Sequence, residues 1–253
     1  MATFNYDLRA MLRKFGVVTV MDVEAYKTVR HKTASGESTD VKYEVGEWDA
    51  KTTLAEDPVF TLNSLKIANI NQEGPTKSIT GGQNADTLLK YGKTFTIEMQ
   101  DALGRYDVLE NIYGAKFSSN HQIVTFTDRF PGELTLVGTT FVIDQATGAK
   151  QPIKIVIPIF LGDGIFNLTQ DAEGDASVFD INGNILKFEG GAESADALNT
   201  EEERFNDNHK DVDGHIYGAG ADNEFYFMCT KEIYETIAKS GYREAWNTEI
   251  TQA

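Results

Sequence analysis

The sequence predicts a mainly β fold, carried as a single β-rich domain over residues 1–253. Three observations support that expectation. Apolar side chains alternate with polar ones through most of the chain, which is the period of a strand half buried in a sheet. The alternating runs are separated by segments rich in Gly, Asn, Asp and Ser, the residues that supply turn geometry. Only three short stretches show the three-and-four spacing of a helix, and neither an internal repeat nor a linker divides the chain. All-β sandwiches and barrels of this length commonly remain one unit.

The elements follow in order. In NYDLRAMLRKFG, Leu8, Met11, Leu12 and Phe15 recur at helical spacing and Gly16 ends the pattern, so residues 1–16 read as an amino-terminal arm with a short helix. Val17–Val29 is β-branched and long enough for a bent strand, with Val41–Val45 as its hairpin partner across the polar stretch His31–Asp40. Pro58–Ile70 fits one strand with a bulge near Ser64. From Ile79 a polar loop bearing Gly81 and Gly82 leads to KTFTIEMQ, where Phe95, Ile97 and Met99 point one way and Thr94, Thr96, Glu98 and Gln100 the other. Asp101 suits an N-cap, and Tyr106, Leu109, Ile112 and Tyr113 form a helical stripe that Gly114 closes in left-handed geometry.

Strands return at Gln122–Phe130, Glu133–Asp144 and Ile153–Phe160, and Pro158 inside the last calls for an edge position or a bulge. Asn182-Gly183 between Ser177–Ile181 and Asn184–Glu189 is a hairpin signal. Residues 190–220 turn acidic and polar, which reads as an extended loop or insertion. The carboxy-terminal part offers a strand at Glu224–Cys229 and a short helix with Ile233, Ile237 and Ala238 inward.

Composition narrows the function classes. Hydrophobic residues make up 41% and charged residues 25%, so a buried core is affordable and the chain is neither wholly disordered nor fibrous. With 23 Lys+Arg against 39 Asp+Glu the formal net charge is -16, which opposes tight wrapping of nucleic acid, since phosphate binding depends on clustered Lys and Arg. Cys229 is the single cysteine, so no intrachain disulfide or cysteine zinc cluster exists. Its apolar neighbours make it a core thiol rather than a nucleophile. No apolar h-region opens the sequence and no segment approaches the roughly 18 apolar residues of a membrane span, so the expectation is a soluble chain in a reducing compartment.

Candidate chemistry is thin. Asp180–Asn184 resembles the middle of an EF-hand loop and Glu189 occupies the twelfth position, but the first ligand position is Val178. Asp211–Gly214 fails likewise, with His209 first and Gly220 twelfth. His209, His215, Asp211 and Asp213 could hold a metal, although an acidic loop gathers such residues by composition alone. Gly81–Asp86 lacks the spacing and lysine of a phosphate loop, and Gly218–Asp222 lacks the downstream helix of a dinucleotide fingerprint. The expected assignment is no catalytic, metal or cofactor-binding residue, and no enzyme. Strands ending in polar loops leave edges that must be protected or paired with a neighbour.

The run ITGGQNADTLLKYGKTFTIEMQDAL followed by GRYDVLENIYG, Ile79–Gly114, resembles the tail tube (major tail) proteins of long-tailed bacteriophages of Gram-positive hosts. There a GGQ-type loop precedes a strand ending in a D-A-L helix start. Ile153–Asn184, with its A-E-G-D segment Ala172–Asp175, is similar to the strand pair of the same family; the two blocks cover about a quarter of the 253 residues. The resemblance implies a β-sandwich or barrel-like tube fold with a short packed helix and long polar loops. It also implies subunits that form hexameric rings, stack into a hollow tube and let DNA pass without sequence-specific binding. Its implied partners are the chain itself and other tail proteins such as the tape measure and terminator, with no membrane. The implied location is the virion tail, assembled in the host bacterial cytoplasm. Under that reading the net charge of -16 lines the lumen, and the polar stretches His31–Asp40 and Trp48–Pro58 meet the next ring. The alternative from another class is a calcium- or glycan-binding β-sandwich module using the acidic loop.

Overall fold

β1 (Phe15–Lys27) begins where the amino-terminal helix was expected to end, so Phe15 and Gly16 belong to a strand. The computed structural model describes residues 15–35, 42–63, 65–74, 76–81, 85–90, 93–101, 106–120, 122–126, 132–144, 150–164, 179–188, 225–242 and 245. The expected helix before Phe15 and the acidic segment 190–220 lie outside them. The fold is mainly β, built from antiparallel strands with few helices, as the alternating sequence predicts.

The chain divides into two compact units. Unit 1 draws on Met1–Ser64, Gly132–Phe160 and Lys187–Ala253, and unit 2 on Leu65–Pro131 and Leu161–Leu186. Because the chain returns to each unit, neither is one continuous segment. That interleaving is why composition showed no boundary. We retain the single domain over 1–253 as a proposal, for which one cooperative unfolding transition is the test.

In unit 1 the strand order is β4 (Phe60–Leu62), β1, β11 (Leu134–Asp144) and β12 (Lys150–Gly162), with β14 (Phe227–Thr230) also pairing β12. β1 runs antiparallel to β11 from Phe15 opposite Asp144 to Lys27 opposite Leu134, with an irregularity between Val18 and Asp22 that supplies the expected bend. β12 explains its proline. Leu134 faces Phe160 and Leu136 faces Ile157, so one extra residue of β12 is accommodated beside Pro158. The ring, which has no N–H to give, thus sits where the ladder is interrupted, and the bulge rather than the edge is what occurs. Leu134–Gly138 and Val156–Phe160 are buried at every position, so these strands are covered on both faces.

Several expectations are corrected in this unit. β1 does not pair with the segment after the polar stretch: β2 (Arg30–Ser35) pairs with β3 (Lys42–Trp48) in a separate ribbon. Half of the supposed loop 31–40 is therefore strand. Polar residues serve there because a two-stranded ribbon needs no buried face. Pro58–Ile70 is not one bulged strand, for β4 pairs with β1 and the following strand belongs to unit 2. Trp48–Pro58, read as loop, contains α1 (Ala50–Ala55). Asp49 caps it by accepting from the backbone N–H of Thr52 at 2.9 Å, an ordinary N-cap whose signal is too short to show helical periodicity. The hydroxyl of Thr53 accepts from the backbone N–H of Val29 at 3.0 Å, which fastens α1 to the connection between β1 and the strand that starts at Arg30.

The carboxy-terminal helix, here α3 (Lys231–Ser240), starts at the N-cap Thr230 and ends at Gly241, whose φ of 94° suits a residue without Cβ. Ile237 is buried as expected, whereas Ile233 and Ala238 are only half-buried. α3 packs against α1.

Unit 2 is built on β13 (Phe179–Ile185), β8 (Thr94–Asp101) and β5 (Leu65–Glu73), in that order. Ile97 and Met99 are buried while Thr94 and Glu98 are exposed, as the alternation predicts. Met99 lies opposite Ile181 on one side and Ala68 on the other, so the apolar row runs across all three strands. Asn182-Gly183 makes no turn: Asn182 faces Glu98 and Gly183 faces Ile97 in mid-strand. The hairpin signal fails because its flanks pair with β8 instead of each other. Asp101 is likewise the last residue of β8, opposite Leu65 and Phe179, and not a helix cap.

α2 (Tyr106–Tyr113) ends at Gly114 with φ 64°, as expected. Its buried stripe is Val108, Ile112 and Tyr113, while Leu109 is half-buried and Tyr106 is 66% exposed. The Tyr113 hydroxyl donates to the carbonyl of Asp180 and ties the helix to β13. The stretch from Ile79, expected as a glycine-bearing loop, is strand over its described residues up to Lys90: Ile79–Gly81 ends β6 (Thr76–Gly81), which pairs with β7 (Ala85–Lys90) in a ribbon. No described helix is long and apolar enough to cross a membrane.

Candidate assembly surfaces

The residues weighed for chemistry are built into structure. Asp180–Asn184 is extended backbone within β13, so consecutive side chains leave on opposite faces and cannot wrap an ion as an EF-hand loop does. Cys229 sits buried in β14, and burial pushes its thiol up to about 12, partly opposed by Lys154, which leaves an inert core group. Gly81 and Ala85 close the β6–β7 ribbon. His209, Asp211, Asp213, His215 and Gly218–Asp222 lie outside the described residues. Among the described residues no cluster of three His, Cys, Asp or Glu could hold a metal ion.

Buried polar groups in unit 1 are likewise committed to the fold. The Thr135 hydroxyl donates to the Pro158 carbonyl at 2.7 Å and accepts from the Trp48 indole N–H at 3.2 Å, with the Thr28 hydroxyl 3.0 Å away. The bulge carbonyl thereby gains the partner that the ladder denies it. Trp48 in turn meets Phe188 edge-on at 5.8 Å, and Phe227 lies 4.5 Å from Tyr242 in the same cluster of rings. Tyr26 donates to Glu24 at 3.0 Å, and burial first, then Tyr234 and Glu24, push its phenol far up. Burial also raises Tyr234 to about 12. None of these groups is shaped for proton transfer at neutral pH.

What remains for function is surface. β5 ends the strand order of unit 2, and Asn69, Asn71, Gln72 and Glu73 on it are exposed. Strand edges of this kind are templates for pairing. Two-stranded ribbons form a second class: β2–β3, β6–β7, and β9 (Lys116–Phe117) with β10 (Val124–Thr125). The last corrects another expectation, because Gln122–Phe130 was read as a sheet strand and only Val124–Thr125 is strand among its described residues.

That ribbon carries hydrogen bonds of its own around Ser118. Ser118 donates its backbone N–H to the Ile123 carbonyl at 2.9 Å, and its hydroxyl oxygen accepts from the backbone N–H groups of Gln122 and Ile123 at 3.2 and 3.1 Å. The apolar side chains beside the turn stay in water: Ile123 is 63% exposed, Val124 42% and Phe126 47%. Tyr106 stacks edge-on against Phe117 at 6.1 Å and carries the apolar surface back to α2.

Residues 115–199 match the model of the YomU/Tube protein family. The YomU/Tube segment takes in the β9–β10 ribbon, the β11–β12 hairpin and β13. No curated protein matches the chain. Ile153–Asn184, the second stretch that resembles tail tube proteins, lies inside the matched segment, and Ile79–Gly114 ends immediately before it. The match supports a tube protein at the level of family, which is a structural class and not a known class of enzyme. Sequence reasoning passed over the ribbon because alternation in Gln122–Phe126 looks the same in a sheet and in an exposed hairpin; the run Phe117–Thr127 without Asp, Glu, Lys or Arg was the signal available.

Proposed function

We propose that the chain is the structural subunit of a phage tail tube. In this reading copies associate through strand edges and ribbons into stacked, hexameric rings, and DNA passes through the lumen without sequence-specific contact. The observation that carries it is the YomU/Tube match across residues 115–199, joined to an antiparallel, mainly β fold whose buried polar groups serve packing. The net charge of -16 suits a lumen wall that repels phosphates, over a range of about 8 Å at physiological salt. The subunit's other partners would be tape measure and terminator proteins, and its place the virion tail, after assembly in the host cytoplasm.

Negative-stain electron microscopy of concentrated purified protein tests the proposal. Hollow rods or rings with sixfold averages are expected. A particle that remains monomeric at every concentration and ionic strength would refute it. For the alternative binding module, the extended Asp180–Asn184 removes the calcium loop among the described residues, and calorimetric titration with calcium checks the rest.

A further inference from the structure

We infer that the β9–β10 ribbon, with Tyr106 at its base, is a contact covered by a second copy of this chain. The inference rests on the tube reading for its biological setting, but its physical basis is separate. Phe117 to Thr127 is a run of eleven residues without Asp, Glu, Lys or Arg, the longest in a chain that is 25% charged. The next longest such run, Leu134–Ile143, lies within β11, where burial accounts for it. The described residues of the Phe117–Thr127 run are mostly exposed, so the core does not account for its lack of charge.

Charge selects the occupant. Two copies each bearing -16 repel over the screening length, so they meet at lowest cost where the local surface carries no carboxylate. A nucleic acid would need clustered Lys and Arg, and a basic partner would seek the acidic surface found elsewhere on the chain. An equally acidic copy is the partner for which a ribbon without carboxylates, its apolar Ile123, Val124 and Phe126 exposed and Lys116 its one charge among the described residues, is the suitable contact. Hydrogen bonds to Ser118 hold the backbone at Gln122 and Ile123, and pairing with Phe117 holds it at Val124, which lowers the backbone ordering that association requires. Tyr106 and Phe117 add aromatic area, the residue type enriched at contact centres.

The test is an Ile123→Asp/Val124→Asp variant beside the unaltered chain, both followed by sedimentation velocity and electron microscopy. Both side chains are exposed, so the variant is expected to keep the far-ultraviolet circular dichroism and melting temperature of the parent while its self-association weakens by at least about tenfold. An Ile123→Ser/Val124→Thr variant, which adds no charge, should weaken association less. Tubes from the parent and equally from the Asp variant would overturn the ribbon contact and leave the tube reading standing. A parent that forms only small oligomers, lost in the variant, would support the contact and refute the tube. A variant that assembles normally but no longer retains another tail protein would assign the ribbon to that partner and overturn the inference.

Discussion

Unit 1 hides its large apolar side chains, whereas unit 2, beside a buried core of its own around Met99, Ile112 and Ile181, also displays several. Trp48, Phe60, Phe160 and Phe188 are all fully buried in unit 1, whereas the exposed large hydrophobic residues, Tyr106, Ile123, Val124 and Phe126, all belong to unit 2 among the described residues. Unit 1 also satisfies its buried hydroxyl and indole groups internally, through Thr135, Trp48 and the Pro158 carbonyl. Unit 2 spends its side-chain hydrogen bonds around Ser118 on holding an exposed turn in shape. The contrast separates two uses of the same residue types. Apolar area inside unit 1 stabilises the fold at about 25 cal/mol per Å² removed from water, and apolar area left on the ribbon retains that gain for an association.

Alkali is the strongest way to break the contrast. Tyr26, Tyr234 and Cys229 in unit 1 and Tyr113 in unit 2 are all raised by burial, which favours their neutral forms. The stability they contribute is fully present below their ordinary values, 9.0 for the thiol and 10.0 for the phenols, and is lost as pH climbs through the raised ones. Circular dichroism during an alkaline titration should stay flat to about pH 9 and collapse toward about pH 12. Loss of structure near pH 8 would show that these groups are not buried as described. The same burial predicts that Cys229 resists thiol reagents at pH 8 until denaturant is added.

Trp48→Ala should cost about 3–5 kcal/mol by urea denaturation, because it removes a ring cluster and the donor to Thr135 together. A loss below about 1 kcal/mol would mean that unit 1 does not depend on that cluster. Thr135→Val conserves shape but leaves the indole N–H without its acceptor and the bulge carbonyl with only the more distant Thr28 hydroxyl at 3.3 Å, at about 1–3 kcal/mol. Gly114→Ala forces a Cβ into φ 64° and should lower stability by about 1–2 kcal/mol. At the small end, Ile123→Ser should shift folding stability by no more than about 0.5 kcal/mol. A larger loss there would show that the ribbon supports the fold and would erase the difference between the units.

Periodicity made the long strands legible: β1 with its bend, β8 with its two faces, β11, β12 and the bulge at Pro158 all follow from residue order. Gly114 announced the end of α2 for a local reason, since only a residue without Cβ takes that turn at no cost. The errors share a different cause. Asn182-Gly183 carries the local signature of a turn, yet β8 offers it a full ladder; Asp101 reads as a cap, yet two strands claim it. α1 was missed because six residues hold too little pattern, and its cap at Asp49 gains meaning only once Thr53 reaches Val29.

The sequence by itself determined the strand-forming class, the acidic charge, the inert setting of Cys229 and the resemblance to tube proteins. These are properties of composition and of neighbours in the chain. Tertiary structure alone decided which strands pair, that one alternating run is buried and another exposed, and that Pro58–Ile70 serves two units. Pairing depends on which distant edge offers the better ladder, and burial on what covers a face, and neither quantity exists until the chain has folded.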